Sequence, residues 1–218
     1  EVLGKLVKVE ENSHTVPYGD RSDVVIEPLL TDQWFVDAKK LAVQAIKKVK
    51  DKETKFIPQN WEKTYFEWME NIQPWCISRQ LLWGHQIPVW YGPDGKAFAA
   101  NSHEEALNLA KNHYGKDVAI EQDADVLDTW FSSALWPFST LGWPEKTAEL
   151  EKYYPTSVLV TGFDIIFFWV ARMMMMALHF TETVPSKDVY VHALARDERG
   201  QKKTISKGNV IGPLVLMD

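Results

Sequence analysis

The stretch that decides the fold is Ser157-Val158-Leu159-Val160-Thr161, followed at once by Gly162, by an apolar run from Ile165 to Phe180, and then by Asp188-Val189-Tyr190-Val191-His192-Ala193. The first of these short runs is typical of a central parallel strand, and the last predicts the next strand. The longer apolar run between them predicts a helix. A strand, a helix and a strand within about 35 residues indicate a βαβ unit, and therefore an α/β fold.

The apolar run from Ile165 to Phe180 has a composition close to that of a membrane span. A span needs roughly 20 apolar residues, whereas Asp164 precedes this run and Arg172 interrupts it. We therefore interpret it as a buried helix and expect no membrane partner. The single cysteine, Cys76, excludes an internal disulfide and a cysteine-based zinc site. Both features suit a cytoplasmic protein.

The overall composition is ordinary for a soluble globular protein, with 45% hydrophobic and 25% charged residues. The net charge of −6 argues against a chain coated in basic residues for nonspecific nucleic-acid binding, although it leaves room for a local basic patch. The sequence begins with Glu1 rather than Met and stops at Asp218. We interpret it as a fragment of a longer protein.

Upstream of the βαβ unit, the pattern changes several times. Leu6–Val9 and Asp23–Ile26 predict short strands joined by a turn at Pro17–Asp20. Residues 31–90 are rich in tryptophan, and apolar residues at helical spacing predict a helix from Asp37, its cap, to Val49.

Residues 91–124 are more polar and predict a small α+β insertion. Tyr91–Lys96 has the composition of a hairpin tip. Ser102 and Glu105 have the spacing of a capping box that opens a helix, and Gly115 predicts its end. The remaining residues, 125–218, contain the βαβ unit.

The first candidate site is the turn after Thr161. Ligands of open α/β sheets bind at the carboxyl ends of strands, and Gly162 permits close approach of a backbone. Asp164 could bind a cationic group or a ribose, while Ile165 and Trp169, at i and i+4, could line one apolar pocket. Equally, Asp164 could be a helix cap and the two apolar residues could belong to the core.

Two further stretches are candidates. Asp128-Thr129-Trp130-Phe131-Ser132-Ser133 could form another pocket wall, or simply packed core and a turn. A cationic stretch surrounds Gly200 and contains Arg196, Arg199, Lys202, Lys203 and Lys207. Such a loop could meet the charge of a polyphosphate during phosphoryl or nucleotidyl transfer, or it could be a solvated surface loop. No His/Cys cluster has the spacing of a metal site.

These pieces occur in an order that resembles the valyl-tRNA synthetases of bacteria, which are class I aminoacyl-tRNA synthetases. The resemblance is carried by Asn60–Gln80, Trp83–Pro88, Asp128–Ser133, Leu159–Met173 and Lys207–Ile211. It covers nearly the whole chain and is weakest at residues 91–124. It implies the second half of a Rossmann-type catalytic domain with a small α+β insertion, and residues 1–30 as strands returning from an inserted editing domain.

The resemblance also implies a function: activation of valine with ATP and Mg²⁺, then transfer of the valyl group to tRNA(Val). It implies that Trp130, Ile165 and Trp169 line the valine pocket and that Asp164 holds the ammonium group of valine. The residues implied to contact ATP or the adenylate are Thr161, Gly162, His192 and Lys202. A pocket of this kind discriminates one methylene by only ~1–3 kcal/mol, and enzymes specific for valine are a usual illustration of this limit.

Two departures from the family pattern weaken the expectation of activity. The HIGH signature, which binds ATP, is absent, because no His-x-Gly-His occurs. The KMSKS signature aligns with Lys202-Lys203-Thr204-Ile205-Ser206, where Lys202 and Ser206 match as catalytic residues and Ile205 replaces the second lysine. We therefore expect the isolated chain to be inactive. Two alternatives stay open: a non-catalytic synthetase-like binding module, and a synthetase for another branched amino acid.

Overall fold

The computed structural model describes residues 4–19, 22–204, 208–210 and 212. They fall into two units, Glu1–Asp32 and Gln33–Asp218. The strands are β1 (Phe35–Val36), β2 (Lys55–Ile57), β3 (Trp75–Cys76), β4 (Ser78–Arg79), β5 (Val89–Tyr91), β6 (Ala97–Ala99), β7 (Glu121–Gln122), β8 (Val126–Leu127), β9 (Thr156–Gly162) and β10 (Ser186–His192). The α-helices are α1 (Ala38–Lys50), α2 (Trp61–Glu70), α3 (His103–Tyr114), α4 (Thr129–Ser139), α5 (Ala148–Tyr153) and α6 (Arg172–Thr181).

The predicted βαβ unit is confirmed. β9 and β10 are parallel, and a continuous helical segment joins them: a 3₁₀ turn at Phe163–Ile165, a π-helix at Ile166–Ala171, and α6. The position of β9 was predicted wrongly. The described sheet has the order β2-β10-β9, so β10 is central and β9 lies at the edge. Apolar composition indicates that a strand is buried, but it does not indicate which strands lie beside it.

The predicted buried helix is also confirmed. The segment Phe163–Thr181 is long and apolar enough to cross a membrane by length and composition, and half of its most apolar window is buried. The four methionines Met173–Met176 are each at most 3% exposed. They pack in one core with α1, α4 and the sheet. Burial within the protein explains the apolar composition without a bilayer.

The sheet is covered on one face only by the described residues. Leu159, Thr161 and Val191 point into the core and are at most 8% exposed. Val160 and Tyr190 alternate with them and are 58% and 50% exposed. Parallel sheets are ordinarily covered on both faces. Here, however, the apolar residues of the second face are not covered by the described residues.

The two predicted helix starts are confirmed with their caps. The carboxylate of Asp37 accepts a hydrogen bond from the amide of Lys40 at the start of α1. The Ser102 hydroxyl accepts from the amide of Glu105 at the start of α3, which ends at Gly115 with a φ of +69°. Since a left-handed residue costs little only when it has no side chain, Gly115 ends the helix as expected.

Residues 89–122 form a small α+β substructure, which overlaps the insertion predicted at residues 91–124. β5 and β6 make a hairpin around Tyr91–Lys96, β7 pairs with the other edge of β5, and α3 packs against them. One anchor joins this substructure to earlier residues: the Asp123 carboxylate accepts hydrogen bonds from Trp34 Nε1 at 2.9 Å and from the Tyr91 hydroxyl at 2.6 Å. The substructure is therefore fixed to the segment that precedes α1.

The strands predicted at Leu6–Val9 and Asp23–Ile26 are wrong. The first unit instead makes a turn, in which the amide of Ile26 donates to Pro17 O at 2.9 Å and Tyr18 forms a single bridge with Val25. Val7 is 97% exposed. A strand needs a neighbour to satisfy its backbone groups, and within this unit no described residue forms a β-pairing with Leu6–Val9.

Candidate functional site

The end of β9 positions the first candidate residues. Gly162 is the last residue of β9, and the 3₁₀ turn that follows brings the Asp164 carboxylate back towards it. A Cβ atom added to Gly162 would lie 2.7 Å from Asp164 Oδ1 and 3.2 Å from Leu194 Cδ2. A side chain at this position would therefore displace the Asp164 carboxylate, so glycine permits its close approach to the carboxyl edge of the sheet.

An apolar cavity of about 300 Å³ opens beside this turn. Its lining residues are Trp130, Ser133, Trp136, Ile165 and Trp169. Three of these five, Trp130, Ile165 and Trp169, are the residues that the family resemblance implies for one pocket, and the structure places them around one cavity. Their contact with valine stays a prediction. Ser133 lay within the predicted motif without a role. Trp136 was missed, although its spacing of three residues from Ser133 places it on the same helix face.

Two helical elements form the walls of this cavity. α4 supplies Trp130, Ser133 and Trp136, and the 3₁₀ and π segments supply Ile165 and Trp169. Across the gap, Trp136 and Trp169 have ring centroids 6.2 Å apart. The Ser133 hydroxyl donates to the carbonyl of Thr129 at 2.8 Å. Its proton is thus used within the helix, and the cavity wall remains mostly apolar.

The remaining predicted nucleotide contacts gather at the same edge of the sheet. His192 pairs in register with Gly162, and its Nδ1 lies 2.8 Å from the carbonyl oxygen of Ala193. Thr161 is 2% exposed, and its hydroxyl donates to the carbonyl of Gly162. Thr161 and Gly162 are thus both buried in the described structure, whereas His192 is exposed.

The cationic loop forms a small hairpin. The main chains of Arg196 and Lys202 form an isolated antiparallel β-bridge, and Arg196 Nη1 donates a hydrogen bond to the carbonyl oxygen of Gly200 at 2.7 Å. Asn209 fixes the base of the loop: its side-chain amide donates to the Asp197 carboxylate at 2.8 Å and accepts from the amide of Thr204. The hydrogen bond from Asn209 lowers the pKa of Asp197 below its ordinary value. Ile205, Ser206 and Lys207 lie outside the described residues.

One contact joins the loop to the first candidate site. Lys202 Nζ lies 2.5 Å from Asp164 Oδ2, with the two side chains 52% and 27% exposed. The Asp164 carboxylate therefore pairs with an ammonium group, while its predicted contact with the ammonium group of valine stays a prediction. In this pair the ammonium belongs to the chain itself.

A second cavity of about 440 Å³ lies in the loop. Its lining includes Asp197, Glu198 and Arg199. The two carboxylates oppose binding of a polyphosphate at this point, so the apolar cavity and the Asp164–Lys202 pair are the better candidate site. No group of three or more His, Cys, Asp or Glu residues within the described ranges could hold a metal ion.

A buried ionic cluster lies behind the apolar cavity, and sequence reasoning missed it. Asp128 Oδ2 lies 3.1 Å from Arg172 Nη1, 3.3 Å from Arg79 Nη2 and 3.0 Å from Trp75 Nε1. Asp128 and Arg172 are only 4% and 7% exposed. Burial lowers the pKa of Arg172, and Asp128 opposes that effect. The signal was present, since an arginine within an apolar helix requires a buried anionic partner.

Comparison with known proteins gives the family. The profile of the tRNA synthetases class I (I, L, M and V) matches residues 5–218. The chain is 67% identical over 215 residues to the valine–tRNA ligase of Brucella suis biovar 1 (strain 1330), a match that covers 99% of the chain and 24% of that protein. It is 66% identical over 218 residues to the valine–tRNA ligase of Bartonella henselae, again covering 24% of it.

Solved structures show the same fold at low identity. The methionyl-tRNA synthetase of Mycobacterium tuberculosis bound by methionyl-adenylate matches with a TM-score of 0.63 at 15% identity, over 92% of this chain and 33% of that one. The leucine enzyme of Agrobacterium radiobacter K84, in a ternary complex with tRNA, matches with a TM-score of 0.52 at 21% identity, over 67% of this chain and 22% of that one. The chain spans about a quarter of the length of the valine–tRNA ligases it matches. It belongs to the class I tRNA synthetases of the isoleucine, leucine, methionine and valine group.

Proposed function

We propose that this chain is the part of a valine–tRNA ligase that holds the amino acid and the adenylate. The whole enzyme activates valine with ATP, releases pyrophosphate, and transfers the valyl group to tRNA(Val). The observation that carries this proposal is the apolar cavity, in which the wall residue Ile165 directly follows Asp164, in a chain similar over its whole length to valine–tRNA ligases.

The cavity fits a small branched side chain. Trp130, Ile165 and Trp169 present rigid apolar surfaces. Apolar walls of this kind favour a branched hydrocarbon over a polar side chain through burial of apolar area. Against isoleucine, which is larger by one methylene, the discrimination available from such a wall is ~1–3 kcal/mol.

Asp164 supports the assignment of the amino group. In the described structure it binds the Lys202 ammonium at 2.5 Å. The ammonium group of valine would replace that of Lys202 and release the lysine towards the phosphates of ATP. Charge-assisted hydrogen bonds of this kind are about twice as strong as neutral ones, so one carboxylate can both orient the substrate and hold the loop in its absence.

ATP would bind across the carboxyl edge of the sheet, between His192 and the cationic loop. The exposed His192 offers a contact to the adenosine, and the family resemblance adds the neighbouring strand end at Gly162, which is buried in the described structure. Lys202 and Ser206 would bind the phosphates of ATP. Mg²⁺ would be held chiefly by the phosphates themselves, as is usual for this ion. The proposed location is cytoplasmic, with tRNA(Val) as partner and no membrane contact.

The test is to graft this chain into the B. suis ligase in place of the 215 residues to which it aligns. We expect selective binding of a non-hydrolysable valyl-adenylate analogue in calorimetry, over the isoleucyl analogue. Stronger binding of the isoleucyl form would instead assign the chain to another branched amino acid. The unaltered B. suis enzyme is the control for the titration.

A second candidate function is a synthetase-like binding module without catalysis, and Ile205 at the usual lysine position favours it. The discriminating variant of the graft carries Lys203→Met, Thr204→Ser and Ile205→Lys. If valine-dependent pyrophosphate exchange rises from background to the level of the B. suis enzyme, the altered loop limits catalysis in this chain. If exchange is already at that level before the change, the loop is not limiting and the non-catalytic candidate is wrong.

A further inference from the structure

The buried cluster of Asp128, Arg172, Arg79 and Trp75 has no role in the reaction as described above. Asp128 lies immediately before α4, the helix that carries Trp130, Ser133 and Trp136. Arg172 is the first residue of α6, immediately after the π-helix that carries Trp169. The ion pair therefore connects the ends of the two elements that form opposite walls of the apolar cavity.

Hydrogen bonds and aromatic rings hold the side chains of this cluster in a defined arrangement. The Arg172 guanidinium carbon lies 4.0 Å from the ring centroid of Trp75, which in turn donates its Nε1 proton to Asp128 at 3.0 Å. Its second aromatic neighbours are Phe167 at 5.6 Å and Phe168 at 5.4 Å, both in the π-helix. Phe168 also stacks on Trp130 with centroids 5.9 Å apart. The two cavity walls are thus connected twice: by the Asp128–Arg172 ion pair, and by the contact of Phe168 in the π-helix with Trp130 in α4.

Stability alone is a weak reason for such a pair. Taking two charges out of water costs about as much free energy as their attraction returns, and apolar replacements of similar volume are often as stable. A stronger reason for the ion pair is that it holds the π-helix in place. A π-helix departs from regular α-helical hydrogen bonding, so its shape depends on the residues that pack around it. The Asp128–Arg172 distance of 3.1 Å restrains the separation between this segment and α4.

We propose that Asp128 and Arg172 are positioning residues that set the width of the amino-acid pocket, and with it the discrimination between valine and larger side chains. Arg79, whose side chain is 39% exposed, is the accessory cation of the same carboxylate. This inference rests on the proposed function only for the identity of the amino acid, because the connection between the two walls does not depend on it.

The test uses the grafted ligase and three variants: Asp128→Asn, Arg172→Lys, and the double variant Asp128→Asn/Arg172→Met. The matched control is Glu62→Gln, which removes the carboxylate partner of Lys52 at 2.7 Å, a side chain that is only 12% exposed and lies outside the cavity. We expect the Kd for the valyl-adenylate analogue to rise about tenfold in the single variants, and the ratio of isoleucyl to valyl Kd to fall about fivefold. The control should leave both unchanged.

Two readouts separate positioning from mere stability. Arg172→Lys keeps the charge but loses the planar fork and its stacking on Trp75, so selectivity should still fall. The double variant removes both buried charges, so its thermal midpoint should lie above that of Asp128→Asn while its selectivity remains poor. Lowered melting temperatures with an unchanged Kd ratio in the folded protein would overturn the proposal.

The result stays interpretable if the unaltered graft binds neither analogue, which would count against the proposed function. Amide hydrogen exchange then decides. Asp128→Asn should accelerate exchange in Thr129–Ser139 and Ile166–Ala171 while leaving α3 unchanged. Equal exchange in both wall segments of the variant and the unaltered protein would reject the positioning role.

Discussion

The apolar cavity and the cationic loop lie at the same edge of the sheet, yet they are built differently. The cavity walls belong to helices that pack on a core of fully buried side chains such as Phe138 and Met174. The loop is exposed and is held by short-range polar contacts from Asp197 and Asn209. The comparison teaches that the shape of the apolar cavity is set by the packing of the core, while the loop can change its contacts at a small cost in free energy.

Asp164 is where the two regions meet, and its removal should have the largest effect. In the grafted ligase, Asp164→Asn removes the negative charge that we propose binds the ammonium group of the valyl-adenylate analogue. Loss of one partner of a hydrogen-bonded charge pair costs ~2–5 kcal/mol, so the Kd for the valyl-adenylate analogue should rise about 10²–10³-fold. Calorimetry measures this change.

The control for that change is Asp188→Asn, a partly exposed carboxylate on β10. It should leave the Kd unaltered. If Asp164→Asn bound the analogue as tightly as the unaltered graft, the amino group would have to be held elsewhere and the two regions would not share a ligand.

Widening the cavity should have a smaller effect that is confined to one region. Ile165→Ala removes three carbon atoms from a partly exposed wall residue. The isoleucyl analogue should gain on the valyl analogue by about tenfold, because one methylene in such a pocket is worth ~1–3 kcal/mol. Titrating both analogues measures the ratio, and Val158→Ala on the uncovered sheet face is the matched control. An unchanged ratio would remove Ile165 from the pocket.

The two regions also differ in how well the sequence predicted them. Helical spacing predicted that Ile165 and Trp169 share one face, whereas the inclusion of Trp130 in the same pocket came from the family resemblance. The cap at Ser102 and the stop at Gly115 are local signals and were predicted equally well. The connection between Asp128 and Arg172 spans 44 residues, so no local pattern contains it.

Strand partners escaped prediction for the same reason. The edge position of β9 and the missing pairing of Leu6–Val9 depend on which segments lie alongside, and an apolar run carries no information about its neighbours. In the loop, the sequence predicted a cluster of cations, but it did not predict that Asn209 would fix the loop base or that Lys202 would pair with Asp164.

Releasing the base of the loop should affect the ATP-dependent step alone. Asn209→Ala removes the hydrogen bonds to Asp197 and Thr204, each worth about 0.5–1.5 kcal/mol. In the graft with the restored KMSKS loop, we expect the ATP KM to rise about fivefold with no change in valine KM. Pyrophosphate exchange measures both constants. A parallel rise in valine KM would mean that the loop and the pocket are one structural unit.

The smallest effect tests the loop in the absence of any substrate. Hydrogen bonds from Asn209, and from the amides of Gln201 and Arg199, lower the pKa of Asp197. A carboxyl group with a lowered pKa stabilises the structure above its unfolded value, and that contribution is lost as the pH falls through the lowered value. Acidification should therefore loosen the loop before it affects the buried cavity.

Carbon-13 NMR of aspartate-labelled chain should place the pKa of Asp197 below the ordinary value of about 3.9, and Asn209→Ala should return it towards that value. Because Asp94 is held low by a different partner, the Tyr114 hydroxyl, its titration should be identical in the two proteins. If the Asp197 titration were also identical, the loop base would not depend on Asn209, and the polar contacts that distinguish the loop from the pocket would have to lie elsewhere.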